Sequence, residues 1–232
     1  MRKKIILDFF LPLVILVSLT IVFWSTNGDI AIEKLFYSAE KGWYLKDSNP
    51  WILLYHHGNI PPLILAFAAI FVFAFSFISI RILPYRKIAL FLVLFLAIGP
   101  GFITNTVFKN HWGRPRPRQI ENFGGEEKFL AVWVKGVSKR GKSFPSGHAS
   151  IGFFLFSPFF FLRKIRTKLA VFFLFLGVIY GTLMGVGRMI QGGHFASDVV
   201  WAGGFTYLTG LILYYLFKFD KQIWWTPQPS KE

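Results

Sequence analysis

The chain has 232 residues, 54% of them hydrophobic and 29 of them Phe, with 26 Lys and Arg against 11 Asp and Glu. The apolar residues come in long blocks rather than periodic stripes, which excludes an ordinary soluble domain and marks a polytopic membrane protein. Cysteine is absent, which excludes disulfides, thiolate metal sites and a Cys nucleophile. The net charge of +15 sits beside apolar blocks, so its expected partners are anionic lipid headgroups in a bilayer and not nucleic acid.

In chain order the sequence predicts an all-α membrane bundle of six transmembrane helices in one domain, residues 1–232. The spans are Ile5–Trp24, Ile60–Ile80, Ile88–Phe108, residues 147–162, Leu169–Val186 and Val199–Phe217. Most approach the ~20 residues needed to cross a bilayer core. The fourth is short and crosses if "SFPSGH" lies among the headgroups and contributes its first turn. The basic start "MRKK" followed by a long apolar run reads as a retained signal anchor, because the run exceeds a typical signal-peptide core and no A-x-A site follows.

Between spans one and two the sequence mixes apolar and charged residues. Ile32, Leu35 and Phe36 fit one face of a short interfacial helix, while Trp43, Trp51 and Tyr55 suit the interfacial belt. His56 and His57 have no carboxylate nearby and are read as packing or headgroup contacts. The tail "WWTPQPSKE" reads as an interfacial anchor with a short disordered end.

Short connections set the orientation. Arg2, Lys3 and Lys4, then Arg81, Arg86 and Lys87, then Arg163, Lys164, Arg166 and Lys168, then Lys218, Lys221 and Lys231 all fall on one face. The positive-inside rule makes that face cytoplasmic, with both termini inside. The loop from Lys109 to Lys142 on the other face carries nine Lys or Arg, so the orientation rests on the short loops and not on a plain charge count.

This topology gathers three polar clusters on the outer face: "KNHWGRPRPRQ", "GKSFPSGHAS" and "GRMIQGGHFASD". Lys109, Arg114, Arg116 and Arg188 supply fixed positive charge suited to phosphate oxygens. Ser146 and Gly147 stand at a helix start, where free backbone N–H groups favour an anion. His194 and Asp198 are four apart, so Asp198 is expected to accept from one imidazole nitrogen and leave the other free as nucleophile or base. His148, on a different helix, supplies a second proton-handling group. Together these are the parts for phosphoryl transfer.

Other readings of the same residues were weighed. His148, His194 and Asp198 match a zinc donor set, but the adjacent cations repel a metal ion, so no metal is expected. For Arg114, Arg118, Lys139, Arg140 and Lys142 contact with headgroups is preferred. Asn105, His111, Trp112 and Gln191 either line the pocket or pack behind it. An anion transporter would use similar cations, yet its charges belong near the bilayer midplane and not at one face.

At these residues the sequence resembles the type 2 phosphatidic acid phosphatase superfamily. Lys109 with Arg116-Pro117, then Pro145 to His148, then Arg188, His194 and Asp198 match its three signatures in order. One position departs: Gly187 stands where the family usually has serine. The resemblance implies that His194 attacks phosphorus, Asp198 orients it and His148 protonates the leaving oxygen. It further implies that Lys109, Arg116, Arg188, Ser146 and Gly147 hold the phosphate, and that no cofactor is needed. "GRPRPRQIENFGG" and "GGHFASDVVWAGG" look similar to bacterial members acting on envelope lipids, especially the lipid A 1-phosphatases. That likeness implies a phospholipid or lipid A substrate, an inner-membrane location and a site facing the periplasm. Undecaprenyl diphosphate, phosphatidylglycerophosphate and phosphotransfer to another lipid are the alternatives.

Overall fold

The computed structural model describes residues 2–137 and 141–221. The first long helix, α1, covers Arg2–Ser25 and is followed by the short α2, Gly28–Glu33. Next come α3 (Trp51–His57) and α4 (Ile60–Phe75). After these, α5 (Arg86–Leu96) runs through a π-helical stretch, Ala97–Phe108, into α6 (Lys109–His111). A short pair, α7 (Gly147–Phe153) and α8 (Ser157–Leu162), precedes α9 (Thr167–Ile190) and α10 (Ala196–Leu216). No β-strand occurs among the described residues.

Five helical stretches are long and apolar enough to cross a membrane: Ile5–Ser25, Trp51–Phe75, Leu83–His111, Thr167–Ile190 and Ala196–Leu216. The stretch Gly147–Leu162 is apolar but shorter. The second of these differs from expectation at both ends. It starts at Trp51 rather than Ile60, because α3 and α4 follow one another with only Gly58 and Asn59 between them. The exposed His56 and His57 made this helical turn look like loop in the sequence. Residues 76–80 are turn and not helix, and the Ser76 hydroxyl there accepts from Arg86 Nε at 2.9 Å.

α2 is shorter than the interfacial face suggested, so Leu35 and Phe36 lie in the turn beyond it. It packs against α10 and buries Gly28, Asp29 and Glu33. Lys139, Arg140, Lys231 and the tail 224–232 lie outside the described residues.

The core is built from phenylalanine. Phe91, Phe95, Phe154, Phe156 and Phe160 are all buried and meet one another edge-on or tilted at 5.6–6.4 Å between ring centroids. Edge-to-face contacts of this kind add to the area that the rings bury. Outward-facing apolar side chains such as Ile64, Phe67, Phe172 and Phe175 stay exposed, as hydrocarbon solvent allows. At the end of the bundle away from α6, Asp8 of α1 pairs with Arg163, accepts from Tyr215 Oη at 2.6 Å, and ties α1 to α10.

α9 packs along α7 and α8. That approach needs small residues, since van der Waals contact and not water drives helices together in a bilayer. A Cβ at Gly177 would overlap the Phe156 backbone, and one at Gly181 would overlap the Phe153 ring. By contrast, a Cβ at Gly187 would meet nothing closer than Trp51 at 3.8 Å. Gly177→Val is therefore expected to lower the thermal unfolding midpoint in detergent by several degrees or abolish folding, while Gly187→Ala leaves it within about a degree. Equal effects of the two substitutions would show that the α8–α9 approach is not the constraint.

Candidate active site

Three chain segments converge on one end of the bundle. α6 brings Lys109, the start of α7 brings Gly147 and His148, and the turn between α9 and α10 brings His194. Lys109 Nζ lies 3.4 Å from Asn105 Oδ1. Both atoms crowd Gly147, whose hypothetical Cβ would stand 2.7 Å from Asn105 Oδ1 and 3.0 Å from Lys109 Nζ. Arg116, Arg188 and Lys142 are within electrostatic range of Lys109, and His148 in turn feels Arg188, His194, Lys109 and Arg116. The expected cations and both histidines thus share one site.

Arg188 is 7% exposed at the end of α9. Its Nη1 donates to Gln191 Oε1, which makes Gln191 a holder of the guanidinium. Its Nε is buried and has no hydrogen-bond partner among the described residues. A buried unpaired guanidinium donor costs free energy until an acceptor reaches it, and an oxyanion is the acceptor that fits. Ser146 is fully buried and caps α7, its hydroxyl accepting from Ala149 N at 3.4 Å. Its own backbone N–H donates to the Asp198 carbonyl at 3.2 Å, so what it can still offer an anion is its hydroxyl proton.

His194 is 1% exposed, and its Nδ1 faces the Ser143 carbonyl at 2.5 Å. Asp198 Oδ2 is farther, at 3.9 Å. The imidazole–carboxylate hydrogen bond expected from the four-residue spacing is therefore replaced by one to a backbone carbonyl. The reason lies in how Asp198 is already committed. Its Oδ1 accepts from Arg114 Nη1 at 2.5 Å, and its Oδ2 accepts from Ser143 Oγ at 2.5 Å and from Phe195 N at 2.8 Å. A carbonyl on Nδ1 still fixes the tautomer, with the proton on Nδ1 and the Nε2 lone pair free. Burial pushes the His194 pKa down to about 4, against the opposing pull of Asp198. His194 is neutral at ordinary pH.

Arg114 is the largest departure from expectation. It does not reach for headgroups; it is completely buried. Its Nη2 donates to Asp29 Oδ2 at 2.7 Å, its Nη1 to Ser197 Oγ at 2.8 Å and to Asp198, and its Nε to the Leu130 carbonyl at 2.9 Å. Phe195 covers the guanidinium at 4.4 Å. Burial opposes this charge, and Asp198 and Asp29 overcome that opposition and raise its pKa. Asp29 also accepts from Ser197 N at 2.9 Å and Ser197 Oγ at 2.6 Å, which fastens α2 to the start of α10. Beside them Glu33 is fully buried with neither carboxyl oxygen partnered among the described residues. Burial, then Asp29 and Asp198, push its pKa well above its ordinary value.

Arg118 and Lys142 are exposed, as expected for headgroup contacts. Trp112 packs on Phe108 and Phe144 and donates from Nε1 to the Val132 carbonyl at 2.9 Å, and His111 Nδ1 lies 2.8 Å from the Val107 carbonyl. Trp112 is a packing residue, whereas His111 is exposed. The sequence singles out neither Asp29 nor Ser143, and it gives Arg114 and Tyr55 other roles. Only Arg114 carried a signal, lying two residues before Arg116 in the same motif.

Two outcomes follow. Arg114→Met leaves Asp29 and Asp198 buried without a counter-charge and is expected to destabilise the protein by on the order of 3–5 kcal/mol, read as a large drop in the unfolding midpoint in detergent. Since His194 binds a proton less readily when folded, stability should fall as pH drops from 6.5 towards about 4. His194→Gln should flatten that decline; an unchanged slope would mean that the imidazole is not buried neutral.

Comparison with known proteins agrees with this geometry. Residues 86–222 match the PAP2 superfamily. A lipid A 4'-phosphatase of Francisella tularensis subsp. novicida (strain U112) is 35% identical over 199 residues, covering 84% of this chain and 89% of that protein. A phosphatidylglycerophosphatase B of Bacillus subtilis (strain 168) is 32% identical over 148 residues, 60% of this chain and 62% of that one. The crystal structure of a transmembrane PAP2 type phosphatidylglycerolphosphate phosphatase from Bacillus subtilis shares the fold. It superposes with a TM-score of 0.55 at 22% identity, over 94% of this chain and 98% of the other. With its cations and two histidines gathered at one end of an apolar helical bundle, the chain belongs to the PAP2 superfamily and is a membrane lipid phosphatase.

Proposed function

We propose that this phosphatase removes a phosphate from lipid A through a phosphohistidine intermediate. The observation that carries the chemistry is the pairing of a neutral, tautomer-fixed His194 with the unpaired Nε of Arg188 and the ammonium of Lys109. His194 Nε2 forms a bond to phosphorus as the phosphorus–oxygen bond to the lipid breaks. His148 gives its proton to the departing oxygen. Water then attacks the phosphohistidine, His148 takes the water's proton, and inorganic phosphate leaves. Lys109, Arg116 and Arg188, with Ser146 and Gly147, hold the phosphate oxygens, and such fixed charge is worth most where water is excluded. Asp198 steadies His194 through Ser143 rather than by direct contact.

The sequence pointed to the 1-phosphate of lipid A. The Francisella relative, which matches most of this chain, is named a lipid A 4'-phosphatase, and this supports the 4'-phosphate as the group removed. Six membrane spans, with Gly147–Leu162 as the short fourth, and the positive-inside rule support short basic loops inside and a site on the periplasmic side of a bacterial inner membrane.

The test is phosphate release from lipid A, undecaprenyl diphosphate and phosphatidylglycerophosphate, with mass spectrometry to locate the phosphate that lipid A loses. The 4'-phosphate of lipid A is expected to go fastest, with kcat/KM at least ten-fold above the other two lipids. Faster turnover of phosphatidylglycerophosphate or undecaprenyl diphosphate would overturn the lipid assignment, and loss of the 1-phosphate alone would overturn the position. His194→Ala and His148→Ala should each reduce release by about 100-fold or more while the protein still folds; full activity in either removes the mechanism.

A further inference from the structure

Tyr55 belongs to none of the three motifs, yet it touches the site more closely than several residues that do. It stands on α3, which packs against α9. Its ring is stacked on that of His148, with centroids 5.5 Å apart and planes 22° from parallel. The guanidinium carbon of Arg188 lies 4.7 Å from the centroid of the same ring. Arg116 is within electrostatic range of the Tyr55 hydroxyl.

The stacking matters because of what His148 otherwise lacks. It sits in the first turn of α7, and among the described residues no hydrogen bond holds its ring. The torsion that turns an imidazole about its Cβ–Cγ bond is broad and roughly two-fold, so the helix alone does not set the ring plane. A proton donor must present its N–H along one direction to the departing oxygen. A flat neighbour pressed on the ring supplies that direction. The same aromatic face attracts the Arg188 guanidinium, as rings do with cations.

We infer that Tyr55 is a positioning residue of the phosphatase reaction, its ring fixing the plane from which His148 delivers a proton to the leaving oxygen and steadying Arg188 beside the phosphate. The inference rests on the proposed mechanism, in which His148 is the acid. It also explains why the chain turns helical at Trp51: α3 must already be in place at the depth of the site.

Leaving-group dependence tests it. An alkyl phosphate needs a proton on its departing oxygen, whereas 4-nitrophenyl phosphate releases a stable anion and does not. Wild type, Tyr55→Phe, Tyr55→Leu and Tyr55→Ala are compared with His148→Ala by kcat/KM on dodecyl phosphate and 4-nitrophenyl phosphate in detergent. Tyr55→Leu and Tyr55→Ala should lose at least ten-fold more on the alkyl ester than on the aryl ester. Tyr55→Phe, which keeps the stacked ring, should stay within about three-fold of wild type on both. Tyr55→Leu fills the space without an aromatic face and serves if the alanine variant does not fold. Equal losses on the two esters, or a Tyr55→Phe as impaired as Tyr55→Leu, would overturn the inference. If His148→Ala itself loses both esters equally, the acid role fails first; if His148→Ala is selective and the Tyr55 variants are not, only the positioning role fails.

Discussion

Much of the outer end of the molecule depends on one buried guanidinium. Arg114 is held between Asp29, just after α1, and Asp198, at the start of α10. Ion pairs taken out of water repay their desolvation only when every donor and acceptor is satisfied. Here they are: Ser197, Leu130, Phe195 and Ser143 complete the cluster. The cluster joins α2, the outer loop and the start of α10. It also decides the environment of His194, because an Asp198 engaged by Arg114 and Ser143 cannot come closer to the imidazole.

Behind His194 the charges are thus closed off, and in front of it they are open. Asp29 and Asp198 commit their oxygens to Arg114, Ser143 and Ser197. Lys109, Arg116 and Arg188 lie within electrostatic range of one another, and Arg188 Nε has no partner among the described residues. At an effective dielectric of about 20, two unit charges 4 Å apart interact by roughly 4 kcal/mol, so this segregation favours an anion over any neutral group at the same place. A neutral imidazole beside that anion is the state a nucleophile needs, and burial supplies it.

Five of the spans and the three motifs are legible in the sequence because both are local. Apolar blocks show their length, and Lys109, His148 and His194 fall at block ends on one face. What escaped was the long-range chemistry. Nothing near Arg114 in the sequence announces Asp29, which lies before a whole pair of spans, so headgroup contact looked the better reading. Tyr55 suits the interfacial belt by residue type alone, and only the three-dimensional packing of α3 on α9 brings it to His148. The His194–Asp198 spacing was read as a helical pair, but Asp198 turns back to cap its own helix at Phe195 and leaves Nδ1 to Ser143. Gly187 was the one position where the family's serine is missing. The structure leaves ordinary room for a side chain there, beside Trp51, so steric need does not explain the glycine.

The covalent step can be tested most directly by trapping it. Rapid acid-free quenching of the enzyme with radiolabelled 4-nitrophenyl phosphate, whose leaving group needs no proton, should leave acid-labile, alkali-stable label on His194, at raised levels when dephosphorylation is slowed by His148→Ala. Steady turnover with no protein-bound label under those conditions, or label carried by a residue other than His194, would show that this site transfers phosphate by a different route.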